Sequence, residues 1–228
     1  MNLGGSELTV PVRDLAQVQL SGAGPVRWFS WHRRQRHRPE LQYMVSTGRH
    51  HGFESLEEAR VLLALDFASR VRDVVPQPLK LEFRTGDGRR VHVPDFLVLA
   101  RTGVCLVDVR PLDRVRTKDA ESFAAAFEAA LACGWDYVLA ARWRPHVLAG
   151  LDVLSSQRRP LPDPLGLRAG LLDAARSRVT FGELAEGSAV PALARAELLH
   201  LFWHRSIGID LTVPLTDRSL VEPAVGAP

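Results

Sequence analysis

Two aspartates stand where buried strands do not normally carry charge. Asp95 follows Pro94 within Val93-Pro94-Asp95-Phe96-Leu97-Val98, and Asp108 interrupts Val104-Cys105-Leu106-Val107-Asp108-Val109-Arg110. An ionised carboxylate among Val, Leu and Phe is costly unless positive charge sits beside it. Only a short turn separates the two segments, so they are expected to be neighbouring strands whose carboxylates converge at one end. Two carboxylates there repel each other, and a divalent metal is the usual remedy. Arg110, two residues beyond Asp108, falls on the same sheet face. From there its charge would steer or neutralise a phosphate.

Positioning these side chains requires a sheet, and the flanking sequence supplies one. Ser55-Leu56-Glu57-Glu58 has the form of a capping box, and the apolar residues behind it predict a helix to about Val71. Leu79, Leu81 and Phe83 alternate with Lys80, Glu82 and Arg84 as one strand; Gly86-Asp87-Gly88 marks a turn, and Arg90 to Leu99 reads as a second strand. After the turn Arg101-Thr102-Gly103, residues 104–109 form a short apolar run typical of a buried central strand. Thr117 to Cys133 has helical spacing in Phe123, Ala126, Phe127, Ala130 and Leu131, with Gly134 as its stop, and Asp136 to Ala141 gives a further strand. The order helix, three strands, helix, strand predicts an α/β fold with a mixed central sheet flanked by helices. Residues 1–26 read as an N-terminal arm, 27–145 as the main domain and 146–167, with Pro160, Pro162 and Pro164, as a linker. Residues 168–228 read as a small, mainly helical C-terminal domain, with helices at 168–178 and 192–204 and a strand at 209–213.

Pro94-Asp95 followed thirteen residues on by Asp108-x-Arg110 resembles the signature of PD-(D/E)xK nucleases, whose fold is restriction-endonuclease-like. In that superfamily an acid from a preceding helix often completes the metal site, and Glu58 is the matching residue. Each part also has a structural reading. Pro-Asp pairs are common in loops, Asp-x-Arg on a strand can be an ion pair, and Glu58 is the N3 member of the capping box. Their order along helix, strand and strand favours the nuclease reading.

A closer resemblance is carried by residues 53–60 (Phe-Glu-Ser-Leu-Glu-Glu-Ala-Arg), Leu65-Asp66-Phe67, Gln77-Pro78, Val93-Pro94-Asp95-Phe96, Val107-Asp108-Val109-Arg110-Pro111 and Gly134-Trp135-Asp136-Tyr137. Together these look like the TnsA endonuclease family, the nuclease subunits of heteromeric transposases, over about residues 28–145. Leu201-Phe202-Trp203-His204, Asp210-Leu211 and Pro214-Leu215 are less specifically similar to the family's tail. The resemblance implies a nuclease that uses Mg²⁺ or Mn²⁺ to cut one DNA strand at the transposon's 5′ ends. Its partners would be a DDE-type transposase subunit and a regulatory AAA+ ATPase. Carried over residue by residue, it implies Glu58 as the helix acid, Asp95 and Asp108 as metal ligands, and the Val109 carbonyl as a further ligand. Arg110 falls at the family's lysine position, and arginine there stabilises charge but does not give up its proton. Two alternatives keep the fold: a standalone restriction- or repair-type nuclease, and a non-catalytic DNA-binding or assembly subunit.

The 228 residues, 46% hydrophobic and 24% charged, have ordinary globular composition, which excludes wholesale disorder or a fibrous repeat. The net charge of +3 hides an asymmetry: residues 27–49 hold six arginines against Glu40, a local +5 against −2 elsewhere. Within that stretch Arg33, Arg34, Arg36 and Arg38 are the expected DNA contacts, interleaved with Trp28, Phe29 and Trp31. His50 and His51 read as surface or DNA-facing residues. Cys105 and Cys133 read as core thiols and exclude a disulfide framework. No phosphate-binding Gly-x-x-x-x-Gly-Lys loop occurs, no apolar run reaches the ~20 residues of a membrane helix, and no signal peptide is evident; a cytoplasmic protein is expected.

Overall fold

The computed structural model describes residues 1–27 and 39–224, and the chain divides into two units, Met1–Arg142 and Trp143–Pro228. The first unit opens with β1 (Asn2–Leu3), β2 (Ser6–Glu7), α1 (Val12–Leu15) and β3 (Ala23–Gly24). Next come β4 (Glu40–Met44), β5 (Arg49–Phe53), α2 (Leu56–Ala68) and β6 (Val71–Pro76). It continues through β7 (Leu81–Thr85), β8 (Gly88–His92), β9 (Phe96–Ala100) and β10 (Val104–Val109). A 3-10 turn (Leu112–Arg114), α3 (Thr117–Ala132) and β11 (Asp136–Ala140) complete it. The central sheet has the order β11-β10-β9-β6, with β10 and β11 parallel and the other pairs antiparallel. This is a mixed α/β architecture. Phe96, Leu97, Val98, Leu106 and Val107 are buried, as an apolar run covered on both faces should be.

The Ser55 cap forms, but the reciprocal half of the expected capping box does not: Glu58 reaches the N–H of Glu54, one residue before the cap, and not that of Ser55. The Ser55 hydroxyl accepts the Glu58 N–H, and the Glu58 carboxylate accepts the Ser55 hydroxyl at 2.7 Å and the Glu54 N–H at 2.8 Å. The helix then ends sooner than the apolar pattern suggests, because Ser69 turns left-handed at φ 56°. Residue 71, expected as the helix end, instead opens β6 over residues 71–76, whose Val74 and Val75 pair with Val98 and Leu97. The expected strand over residues 90–99 is really two. Pro94 has no N–H to give to a ladder. Accordingly β8 pairs with β7 in a separate hairpin, while β9 enters the central sheet. Helix α3 turns Ala126, Ala129 and Ala130 to the core, leaving Phe127 and Leu131 exposed, so small residues rather than large ones form its packed face.

The N-terminal residues are not a loose arm. Met1 and Leu15 are buried in one core cluster with Leu79, Leu81, Leu97 and the three alanines of α3, and Leu3, Val10, Val18 and Leu20 pack around it. Their irregular spacing hides this role from a search for periodicity.

The second unit contains α4 (Pro145–Ser155), α5 (Leu167–Ala174), β12 (Val179–Thr180), α6 (Phe181–Glu186), α7 (Pro191–Trp203), β13 (Ile207–Ile209) and β14 (Leu220–Pro223). The expected linker over 146–167 is corrected: Pro145 occupies the first turn of α4, where a missing N–H costs nothing. The expected strand at 209–213 stops at Ile209, after which Asp210 caps a turn by accepting the Thr212 N–H. Beside its helices this unit carries a small antiparallel sheet of order β12-β14-β13. Among the described residues no helix is long and apolar enough to cross a membrane.

Asp66 locks α2 to the β4–β5 turn. Its buried carboxylate accepts the N–H groups of Val45 at 3.1 Å and Ser46 at 2.7 Å. Asp66→Ala removes both acceptors, and a loss of about 2–3 kcal/mol is expected in urea unfolding, with faster hydrogen exchange at Val45 and Ser46. Unchanged exchange at those two amides would contradict this assignment.

Candidate functional site

The last paired residues of β9 and β10 are Phe96 and Val107, so the next facing positions are Asp95 and Asp108. Asp95 sits just ahead of β9, where Pro94 has ended the preceding hairpin. Its Oδ2 accepts the Val109 N–H at 2.6 Å, and its backbone carbonyl accepts the Gln77 N–H at 2.8 Å. Burial drives the Asp95 pKa well above the carboxylate range, and the negative charges of Glu58, Asp108 and Glu54 push it the same way. Glu58, buried at the start of α2, is also raised, first by burial and then by Glu54; its own hydrogen bonds and the Arg27 charge oppose this. Glu58, Asp95 and Asp108 are therefore in mutual electrostatic reach of one centre, Asp95.

Asp108 is 1% exposed and has both oxygens occupied. His92 Nε2 lies 2.8 Å from Oδ1, and the Tyr137 hydroxyl donates to Oδ2 at 2.9 Å. His92 comes from β8 and Tyr137 from β11, so the clamp draws on the separate hairpin as well as on the central sheet. Burial and the Asp108 charge raise the Tyr137 pKa, which keeps the phenol a donor. Sequence reasoning missed His92 and Tyr137 as site residues. Tyr137 lies in one of the motifs singled out above, and His92 is two residues before Pro94, but nothing local signals a contact with Asp108.

Arg110 is turned elsewhere. Its Nη2 lies 3.4 Å from Asp119 Oδ2, and its Nε donates to the Arg114 carbonyl at 3.3 Å. Val109 contributes its N–H to Asp95. Arg33, Arg34, Arg36 and Arg38 lie outside the described residues. His51, expected at the surface, is buried: Nδ1 lies 2.8 Å from the Val74 carbonyl and Nε2 2.7 Å from the Thr47 hydroxyl, tying β5 to β6. His50 is exposed and packs against the Tyr43 ring. The Cys105 thiol is half-buried and pushed up to about 11 by burial, which suits a packing role. Gln77 was also missed as a site residue. It is buried with φ 45° ahead of Pro78, and its Oε1 has no hydrogen-bond partner. Such a conformation is strained and is characteristic of functional sites.

Tested as a metal centre, the donor types fit a hard divalent cation. Asp95 Oδ1 accepts no hydrogen bond among the described residues, and the surrounding carboxylates leave it short of positive charge. The spacing does not fit. No three His, Cys, Asp or Glu side chains among the described residues are arranged so that they could hold an ion. Glu58 and Asp108 are each turned into hydrogen bonds of their own. No protein-family model matches this chain, and no curated protein matches it.

The raised pKa of Asp95 has a definite sign in stability. Between the ordinary carboxylate range and its raised value, the folded protein holds a proton that the unfolded chain has released, so stability falls as pH rises through that window. Asp95→Asn, which keeps an oxygen for the Val109 N–H, should therefore stabilise unit 1 more at neutral than at acidic pH in paired urea titrations. A stabilisation independent of pH would refute a charged Asp95 as the source.

Proposed function

We propose that this chain is a DNA endonuclease of the PD-(D/E)xK type, with a restriction-endonuclease-like first unit and a mainly helical second one. In this reading it is the TnsA-like nuclease subunit of a heteromeric transposase. It acts in the cytoplasm and hydrolyses a phosphodiester at the transposon's 5′ ends. A DDE-type transposase subunit and a regulatory AAA+ ATPase complete the assembly. The observation that carries the reading is the facing pair Asp95 and Asp108, on adjacent strands of a mixed sheet, with Glu58 in electrostatic reach. A buried like-charge cluster is expensive for a fold to keep, and such clusters concentrate at functional sites.

The cofactor this reading calls for is Mg²⁺ or Mn²⁺, which Asp95, Asp108, Glu58 and the Val109 carbonyl would hold; in the present arrangement Glu58 and Asp108 are instead engaged in hydrogen bonds of their own. Such an ion would supply Lewis-acid polarisation of a phosphoryl oxygen. The protein's own residues fix the site. In this structure His92 and Tyr137 hold Asp108, the Val109 N–H holds Asp95, and the Ser55 hydroxyl and Glu54 N–H hold Glu58. Arg110, paired with Asp119, orders the turn that leads from β10 to α3.

Nicking of supercoiled plasmid in the presence of Mg²⁺ or Mn²⁺ tests the reading. The wild-type chain should nick, and Asp95→Ala should reduce the rate to the background. Glu58→Gln separates two roles, because glutamine keeps a side-chain oxygen that can accept the Glu54 N–H or the Ser55 hydroxyl at the helix start. It should lose cleavage while keeping its melting temperature. Cleavage undiminished in pure Asp95→Ala protein would overturn the assignment.

A further inference from the structure

A cluster of carboxylates repels a phosphodiester, so a DNA strand reaching Asp95 needs a cation at the site. Arg110 is committed to Asp119 and the Arg114 carbonyl. Arg27 is tied to the acidic cluster by two routes. Its Nη2 donates to Glu54 Oε2 at 2.8 Å, and the Glu54 backbone N–H in turn donates to Glu58 Oε2 at 2.8 Å. Through the backbone, the Val26 N–H donates to the Gln77 carbonyl at 2.9 Å, and the Gln77 N–H donates to the Asp95 carbonyl at 2.8 Å. The chain therefore carries Val26, the residue before Arg27, to within two backbone hydrogen bonds of Asp95. Its side chain is 52% exposed, that of Glu54 only 20%.

We propose that Arg27 is the phosphate-positioning residue of the acidic site, exchanging Glu54 for an oxygen of the DNA backbone. The proposal rests on the nuclease reading for what the site binds. An exposed ion pair is weak and its partner is easily replaced. A guanidinium presents paired N–H donors that match two phosphate oxygens, and the bond to a monoanionic phosphodiester is charge-assisted. Glu54 then acts as a placeholder. It holds Arg27 in register when no strand is bound, and its charge competes with the phosphate.

The placeholder role makes the two partners behave oppositely, which a purely structural ion pair does not. Affinity of the full chain for a fluorescein-labelled duplex is measured by anisotropy over a series of salt concentrations, without divalent metal. Arg27→Ala should weaken binding by about tenfold and lower the slope of log affinity against log salt by about 0.9, one phosphate contact. Glu54→Gln should tighten binding several-fold by releasing Arg27. The double variant should bind as Arg27→Ala does, because Glu54 acts only through Arg27. Arg27→Lys keeps the charge and should restore the slope but only part of the affinity, which guards against misfolding of the alanine variant. Equal losses of affinity in Arg27→Ala and Glu54→Gln, or an unchanged slope in Arg27→Ala, would overturn the proposal. Opposite shifts in a chain that nicks no DNA would keep Arg27 as a phosphate contact and discard the nuclease reading.

Discussion

The first unit is organised around one electrostatic constraint: Asp95 and Asp108 face each other across neighbouring strands, with little positive charge to balance them. Proteins keep such an arrangement only where the surroundings hold it in place. Here three devices do so. The Val109 N–H fixes one oxygen of Asp95, His92 and Tyr137 occupy both oxygens of Asp108, and the α2 cap absorbs Glu58. Each device comes from a different element, so the central sheet, the β7–β8 hairpin, β11 and α2 all meet at this point. Packing alone would have been satisfied by valine or leucine at position 108.

Pro94 shows how backbone chemistry serves that arrangement. Without an N–H it cannot extend the β8 ladder into β9, and the chain uses residues 93–95 to pass from the hairpin to the central sheet. Asp95 thus lies at a strand entrance, not within a ladder. Its backbone carbonyl is taken up by Gln77, whose left-handed backbone bends the chain just after β6. Two irregular positions, one at each of two adjacent strand ends, thus meet at the Asp95 backbone.

The parts legible in the sequence are those governed by local rules. Ser55 and Glu58 announce the α2 cap, Gly134 marks the end of α3, and the apolar runs of β9 and β10 identify the centre of the sheet. The oddity of Asp95 and Asp108 was visible because charge in an apolar run has no local explanation. What escaped was set by distant partners. Residues 71–76 lack any period and become a strand only because β9 offers a ladder. Met1 and Leu15 look like tail residues until α3 and the sheet provide a surface to cover. The first half of the stretch read as a linker, residues 146–155, is helix, started by Pro145. The clamp on Asp108 joins residues 92, 108 and 137, and Arg110 finds Asp119; no spacing rule encodes either choice.

The β9–β10 hairpin has a consequence for how the chain folds. Its strands are joined by the tight turn at residues 101–103, whereas β10 reaches β11 only after the whole of α3 has been laid down. Contacts that close short loops tend to form early, and parallel pairings across a long crossover form late. Folding in that order would bring Asp95 and Asp108 together before Tyr137 is available to hold the second of them. Their repulsion would then belong to the climb toward the folding transition state, and changes that relieve it would act chiefly on the folding rate and little on the lifetime of the native state. A site built on opposed charges is, in this protein, a matter of how fast the fold is reached as much as of how firmly it is kept.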